Sequence, residues 1–407
     1  MKVLEKKYIV PFILVTSLFF LWGLANNMTD TLLAAFKRIM SMSDTQTSFI
    51  QLAFYGAYFC VAFPAALFIR KHSFKSGVIL GLCLYACGAM LFFPAAKVAS
   101  YGFYLVAIYV LACGCSVLET TANPYILSMG DPETATRRLN VSQAFNPLGS
   151  ITGILLSQVF ILSDISLYSV SGTYFGLGCV LVVIMVVMLC VRMPEGREGA
   201  TADWQANWRS SVRRLVSNRK YLFGVIAQFF YVGAQIGVWS FTIRLVMCEL
   251  GVLEKPAATI YLLSIIGFCV SRFVYTWMMK YFSPNKLLVF GALSSLICTV
   301  AVVLTSGYGW LPVLLLMLVS VFMSLMFPTI YGIALGDVEN ESCGGFAGDA
   351  KIGASGLIMA ILGGAVLTPL QGMVSDATSI QLSYLVPAFC FAMVLLYAVY
   401  VVKVEKK

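Results

Sequence analysis

Charge is scarce in this chain. Only 11% of its 407 residues are Asp, Glu, Lys or Arg, against about 25% in a soluble domain, and 60% are apolar. That deficit excludes a surface facing water on all sides. Histidine is nearly absent: the single one, His72, lies in a basic loop, which argues against a histidine-ligated metal site or a His relay. The twelve cysteines include no paired CxxC motif. Ten of them (Cys60, Cys83, Cys87, Cys113, Cys115, Cys179, Cys190, Cys269, Cys298, Cys390) fall inside apolar blocks, where a free thiol packs as a small apolar group, so neither a disulfide scaffold nor a metal site is expected. No GxxxxGK[ST] loop occurs, which removes ATP as the expected energy source. The net charge of +9 is spread over short loops, with no basic stripe of interleaved aromatics, so nucleic acid is not an expected partner. No cofactor is called for.

What is abundant is long apolar sequence. About 20 apolar residues span a bilayer as a helix, and the blocks do not alternate as barrel strands would. They predict an all-α membrane protein with twelve spans, at about 8–36, 47–69, 76–96, 101–129, 139–163, 167–191, 220–249, 257–281, 286–306, 311–336, 349–375 and 380–402. The first block, Tyr8 to Phe36, exceeds the roughly 7–15 residues of a signal-peptide core, so an uncleaved span is expected there. With the N-terminus inside, 21 of the 27 Lys and Arg fall in cytoplasmic loops and 4 outside. That bias predicts both termini cytoplasmic.

The longest polar stretch lies between spans six and seven. It divides the chain into six-helix bundles at 1–191 and 220–407 with a linker at 192–219. A 6+6 layout is the expected form of a transporter built from two pseudo-symmetric repeats, with its substrate site near the midplane.

Within such a bundle, ionisable groups carry the information. A carboxylate at mid-bilayer costs roughly 2.5–3.5 kcal/mol on insertion scales. Two stand there: Asp30 in WGLANNMTDTLL and Glu119 in CGCSVLETTANPY. A carboxyl group in that setting can take a proton from one side and release it to the other. Amides accompany them at helical spacing: Asn26 and Asn27 three to four residues before Asp30, Asn123 four after Glu119, and Gln143 with Asn146 in span five. Amides donate and accept, as sugar hydroxyls do. Interhelical hydrogen bonding, about 0.6 kcal/mol on average, is the structural alternative for any one of them. Span seven presents Gln228, Tyr231, Gln235 and Trp239 on one face, where aromatic rings can stack on a sugar. Arg272 in span eight is expected to pair with an acid or a carbonyl, in a structural or gating role. Arg244 is expected to snorkel.

The segments FFLWGLANNMTD, QLAFYGAYF, LETTANPY, RLNVSQAFNPLG, AQFFYVGAQ, RFVYTW, MSLMFPTIY and LTPLQGMVSDA resemble the L-fucose–proton symporters of the major facilitator superfamily, a group that includes glucose/galactose permeases. The resemblance covers nearly the whole chain. It implies alternating access and sugar–proton symport, with Glu119 as proton carrier, Asp30 coupling protonation to sugar binding, and Gln143 and Asn146 near the sugar. Glu119 and Ala25-Asn26-Asn27 lean toward the fucose type, since glucose/galactose permeases tend to carry Gln at the former and lack the latter. The chain departs from the pattern at Thr29 and Pro147, where Asn and Ser are common.

The expectation is thus a non-enzymatic importer of L-fucose or a related hexose with protons, working as a monomer in a bacterial inner membrane. The proton-coupling residues are Asp30 and Glu119; the substrate-binding residues are Asn26, Asn27, Asn123, Gln143, Asn146, Tyr231, Gln235 and Trp239. The alternatives are a glucose/galactose permease, a membrane sugar sensor that does not transport, and an intramembrane glycosidase, which water exclusion disfavours.

Overall fold

The computed structural model describes residues 6–39, 44–160, 167–194, 208–336, 338 and 349–405; among these, the side chains of 6, 26, 29–39, 44–49, 51, 157–159, 167, 254–255 and 405 lie outside the description. In lipid every backbone polar group must be satisfied within the segment, so long apolar runs become helices. In chain order these are α1 (Ile9–Ile39), α2 (Asp44–Lys71), α3 (Phe74–Met90), α4 (Phe92–Val98), α5 (Tyr101–Ser128), α6 (Ala135–Gln143), α7 (Asn146–Phe160), α8 (Leu167–Cys190) and α9 (Trp208–Ser217). There follow α10 (Arg219–Leu250), α11 (Glu254–Met278), α12 (Pro284–Leu304), α13 (Trp310–Met323), α14 (Met326–Leu335), α15 (Asp349–Met359), α16 (Leu362–Ala377), α17 (Ile380–Ser383) and α18 (Leu385–Glu405). Among the described residues ten helical stretches are long and apolar enough to cross a membrane, and a shorter apolar helix covers Ile9–Ala25. All twelve expected spans have a helical counterpart, the fifth being α6 with α7.

Several spans are broken, and proline explains most of the breaks. Leu91 between α3 and α4 precedes Pro94, residues 144–145 precede Pro147, residues 324–325 precede Pro328, and Tyr384 precedes Pro387. Each proline withholds the N–H that the carbonyl four residues earlier requires. Elsewhere the ends are capped conventionally. The Asn218 side chain accepts from Tyr221 N at 3.1 Å to start α10, and Gly251, at φ 61°, stops it.

By packing, the chain forms two compact units. The first comprises 1–135, 148–215 and 338–359, the second 136–147, 216–337 and 360–407. Each therefore takes one short segment from the other half of the sequence.

In the first unit α3 and α5 meet through two glycines. A Cβ at Gly88 would fall on the Leu111 backbone, and one at Gly114 on that of Tyr85. Tyr85 Oη donates to Leu21 O at 3.0 Å and Trp22 Nε1 to Tyr58 Oη at 2.7 Å, fastening α1 to α3 and α2. The Arg214 guanidinium grips Asp349 through both arms, Nε to Oδ2 at 2.8 Å and Nη2 to Oδ1 at 2.7 Å. This joins the amphipathic helix α9 to the first turn of α15, where a carboxylate also complements the helix dipole. Ser211 Oγ accepts from both Arg70 and Arg214, at 3.1 Å each, and the Lys351 ammonium sits 4.6 Å above the Phe74 ring.

The two halves of the ion pair differ in exposure: the Asp349 side chain is 2% accessible and that of Arg214 27%. Arg214→Met is therefore expected to destabilise more than Asp349→Asn. It strands an enclosed carboxylate, whereas the freed guanidinium can turn to water. Breaking a buried pair costs about 3–5 kcal/mol, reduced here because Arg214 is partly solvated. Thermal unfolding of both single variants and the double variant in detergent checks this. Equal drops for the two singles would refute the asymmetry.

Candidate functional site

In the first unit the acid is carried by α5. Glu119 lies in its second half and is 8% exposed. Among the described residues its carboxylate forms no ion pair. Tyr58 on α2 and Cys115, one turn earlier on the same face of α5, are within electrostatic reach of it. The Tyr58 hydroxyl is itself held by Trp22, so the wall beside the acid is rigid. Thr121 Oγ1 turns back to Val117 O at 2.6 Å, and Pro124 withholds its N–H from the Thr120 carbonyl directly after Glu119. Asn123 is fully buried one turn on. Asn27 Nδ2 donates to Gly23 O of its own helix at 3.2 Å. Asn26 and Asp30 belong to α1, but their side chains lie outside the described residues.

The second unit holds the remaining candidates. Gln143 ends α6 and Asn146 begins α7, so the two flank a helix break. On α10, Tyr231 is fully buried and its hydroxyl donates to Met323 O at 3.1 Å. That proton is committed to the last carbonyl of α13. Gln235 is half-buried on the same stripe, and the indole of Trp239 packs edge-on to Phe268, with centroids 5.0 Å apart. The indole Nε1 is enclosed and has no hydrogen-bond partner among the described residues. Of the three span-seven candidates, Gln235 and Trp239 thus retain polar groups for a ligand, while Tyr231 is occupied in the fold.

Arg272 organises this unit. It is 3% exposed and pairs with carbonyls. Its Nε donates to Ser324 O at 2.7 Å and its Nη1 to Gln143 O at 2.9 Å. Those are the carbonyls four residues before Pro328 and Pro147. One guanidinium thus replaces both missing N–H groups. Its plane also lies 4.8 Å from the Phe268 ring, the ring against which Trp239 rests. The sequence leaves Arg272 between acid and carbonyl, and the prolines four residues after Gln143 and Ser324 are the signal that decides it.

The first unit therefore offers an enclosed protonatable group, and the second an aromatic face beside a helix break whose carbonyl an arginine holds. Among the described residues neither unit shows a nucleophile–base pair, and no cluster of metal-binding side chains occurs.

Comparison with known proteins bears on what such a site serves. The family model of the Major Facilitator Superfamily matches residues 15–348. An L-fucose-proton symporter of Haemophilus influenzae is 40% identical, over 97% of this chain and 97% of that one. A glucose/galactose transporter of Brucella abortus biovar 1 is 32% identical, over 97% and 94%. A crystal structure of a Major Facilitator Superfamily transporter, FucP, in the outward conformation superposes with a TM-score of 0.87 at 34% identity, covering 97% of this chain and 99% of that chain.

Proposed function

The chain belongs to the Major Facilitator Superfamily, in its fucose/glucose/galactose permease family, and from that premise we propose that it is a proton-coupled sugar symporter that imports L-fucose across a bacterial inner membrane. Membership makes it a multi-pass membrane transporter and not an enzyme.

The observation that carries the reading is Glu119: a carboxyl group within a membrane-crossing helix, almost wholly enclosed and without an ion-pair partner among the described residues. A carboxylate with no counter-charge is expensive in a bilayer. Binding H+ removes the charge and the cost together. In the proposed cycle, Glu119 and Asp30 receive the proton from outside, which favours sugar binding by a coupling that is reciprocal. Access then switches to the cytoplasm, sugar leaves, and the proton follows. The residues given to the sugar are Gln235, Trp239, Gln143, Asn146, Asn26, Asn27 and Asn123. Tyr231 contributes by holding the α13 end in place. The protein works as a monomer and needs no cofactor.

The test is direct. Adding L-fucose to de-energised cells or proteoliposomes is expected to alkalinise the external medium, and an uncoupler is expected to collapse accumulation. Uptake that persists at full gradient with the uncoupler present would remove the proton from the mechanism. The second reading, glucose or galactose as substrate, is favoured by the similarity to the Brucella transporter. A panel of unlabelled sugars competing against labelled L-fucose separates the two.

A further inference from the structure

The ten-residue helix α9 is too short to cross a membrane, and only one of its faces is spent on the first unit. Its sequence, WRSSVRRLVS, sorts at four-residue spacing into three stripes. Ser211 and Leu215 are buried, and beside them Arg214 holds Asp349. Trp208, Val212 and Val216 form an apolar stripe, with Trp208 43% and Val216 56% exposed. Arg209 and Arg213 form a basic stripe next to it, and both are exposed. No acidic residue of α9 balances them. A helix held to the protein by its buried face alone carries polar residues over the rest of its surface. This one leaves an indole and a valine uncovered and aligns two guanidinium groups along their border. An apolar strip edged by cations is the pattern of a helix that lies in a membrane interface.

The place of α9 in the fold agrees. Ser211 Oγ accepts from Arg70 in the last turn of α2, and the Trp208 ring packs edge-on to Phe63 of the same span, with centroids 5.6 Å apart. Phe63 precedes Arg70 by seven residues, which places it about 10 Å further along the span at 1.5 Å per residue. Trp208 therefore rests against a membrane-crossing segment, past its basic end, at the level where indole rings gather. The Arg209 guanidinium lies 5.5 Å from the same indole, so cation and ring are presented together. The distribution of Lys and Arg puts the linker on the cytoplasmic side, where the leaflet carries anionic lipid. An acidic soluble protein could meet the arginines, but it gives no reason for an indole set against a span.

We infer that the outer face of α9 is a docking surface for anionic phospholipid of the cytoplasmic leaflet. Arg209 and Arg213 meet the headgroup phosphates, and Trp208, Val212 and Val216 enter the boundary with the acyl chains. The inner face of the same helix clasps α15 through Arg214 and Asp349, so the lipid that seats α9 also braces that clasp. Nothing in this surface depends on which solute the protein carries.

The test uses the full chain in vesicles of equal parts phosphatidylglycerol and phosphatidylcholine, with one or the other brominated on its acyl chains. The emission of Trp208 is isolated as the difference between the wild type and Trp208→Phe. Brominated phosphatidylglycerol is expected to quench it in preference to brominated phosphatidylcholine by about 5-fold, the effect of one arginine near an anionic surface. In the double variant Arg209→Gln, Arg213→Gln the preference is expected to fall to unity while quenching by either lipid persists. Arg213→Lys keeps the charge and is expected to keep the preference. Should the double variant fail to insert, Arg213→Gln alone is expected to lower it. Inorganic phosphate, matched to chloride in ionic strength, is expected to change nothing; displacement by phosphate would reveal a site for free anions and overturn the membrane surface. Equal quenching by the two lipids in the wild type overturns headgroup recognition. An indole quenched by neither lies in water, which overturns the proposal and leaves the face to a soluble partner. Sugar uptake is not read, so a failure of the transport reading would leave these results intact.

Discussion

Glu119→Gln is expected to abolish uphill uptake of sugar while preserving its exchange down a gradient. The amide has nearly the size and hydrogen-bonding reach of the neutral acid but carries no exchangeable acidic proton. The carrier is then locked in the form that binds sugar and moves it both ways, with nothing to tie movement to the pH gradient. For one proton per sugar, a pH difference of one unit supplies about 1.4 kcal/mol, or roughly 10-fold accumulation. The variant should fall to a ratio of one under the same gradient. A second readout fixes the sign. In the wild type, sugar binding requires the protonated form, so it weakens as pH rises; in the variant, binding should be flat with pH across the same window. Counterflow and imposed-gradient uptake in the same proteoliposomes separate the two effects. If Glu119→Gln still concentrates sugar, Asp30 alone carries the proton and the role assigned to α5 is wrong.

How much of this was readable without coordinates depends on what kind of interaction was involved. Glu119 announced itself because a lone acid in an apolar run has few explanations. The spans were legible for the same reason: lipid leaves helices as the only economical answer to a long apolar block. Span seven is legible only in part. Helical periodicity put Tyr231, Gln235 and Trp239 on one face, but periodicity says nothing of which hydroxyl is already committed. Only the packing shows Tyr231 donating to Met323 O. Arg214 and Asp349 are 135 residues apart, and no local pattern links a linker helix to the start of α15. The exchanged segments 136–147 and 338–359 were likewise invisible, since chain halves are a property of sequence and packing units are a property of contact.

The second large effect is expected at Arg272. Its Nε and Nη1 stand in for the N–H groups that Pro328 and Pro147 lack, at the Ser324 and Gln143 carbonyls. Arg272→Met should leave both carbonyls unmet at about 1–3 kcal/mol each. Part of that loss is offset, because an enclosed guanidinium without a carboxylate is itself costly, so a net destabilisation of about 2–4 kcal/mol is expected. Arg272→Lys should also destabilise, since an ammonium has no planar fork to reach two carbonyls on different helices. The decisive measurement returns the backbone donors. Adding Pro147→Ser and Pro328→Ala to Arg272→Met supplies an N–H four residues after each orphaned carbonyl, and thermal stability in detergent should recover by more than the two proline replacements give in the wild-type background. That excess is the coupling a double-mutant cycle isolates. Simple additivity would show that Arg272 acts through its contact with Phe268, the ring on which Trp239 rests, instead. Recovery of stability without recovery of sugar uptake would separate the two roles: the carbonyl bonds hold α6 and α13 in place, while the ring contact at 4.8 Å positions the aromatic face for the ligand.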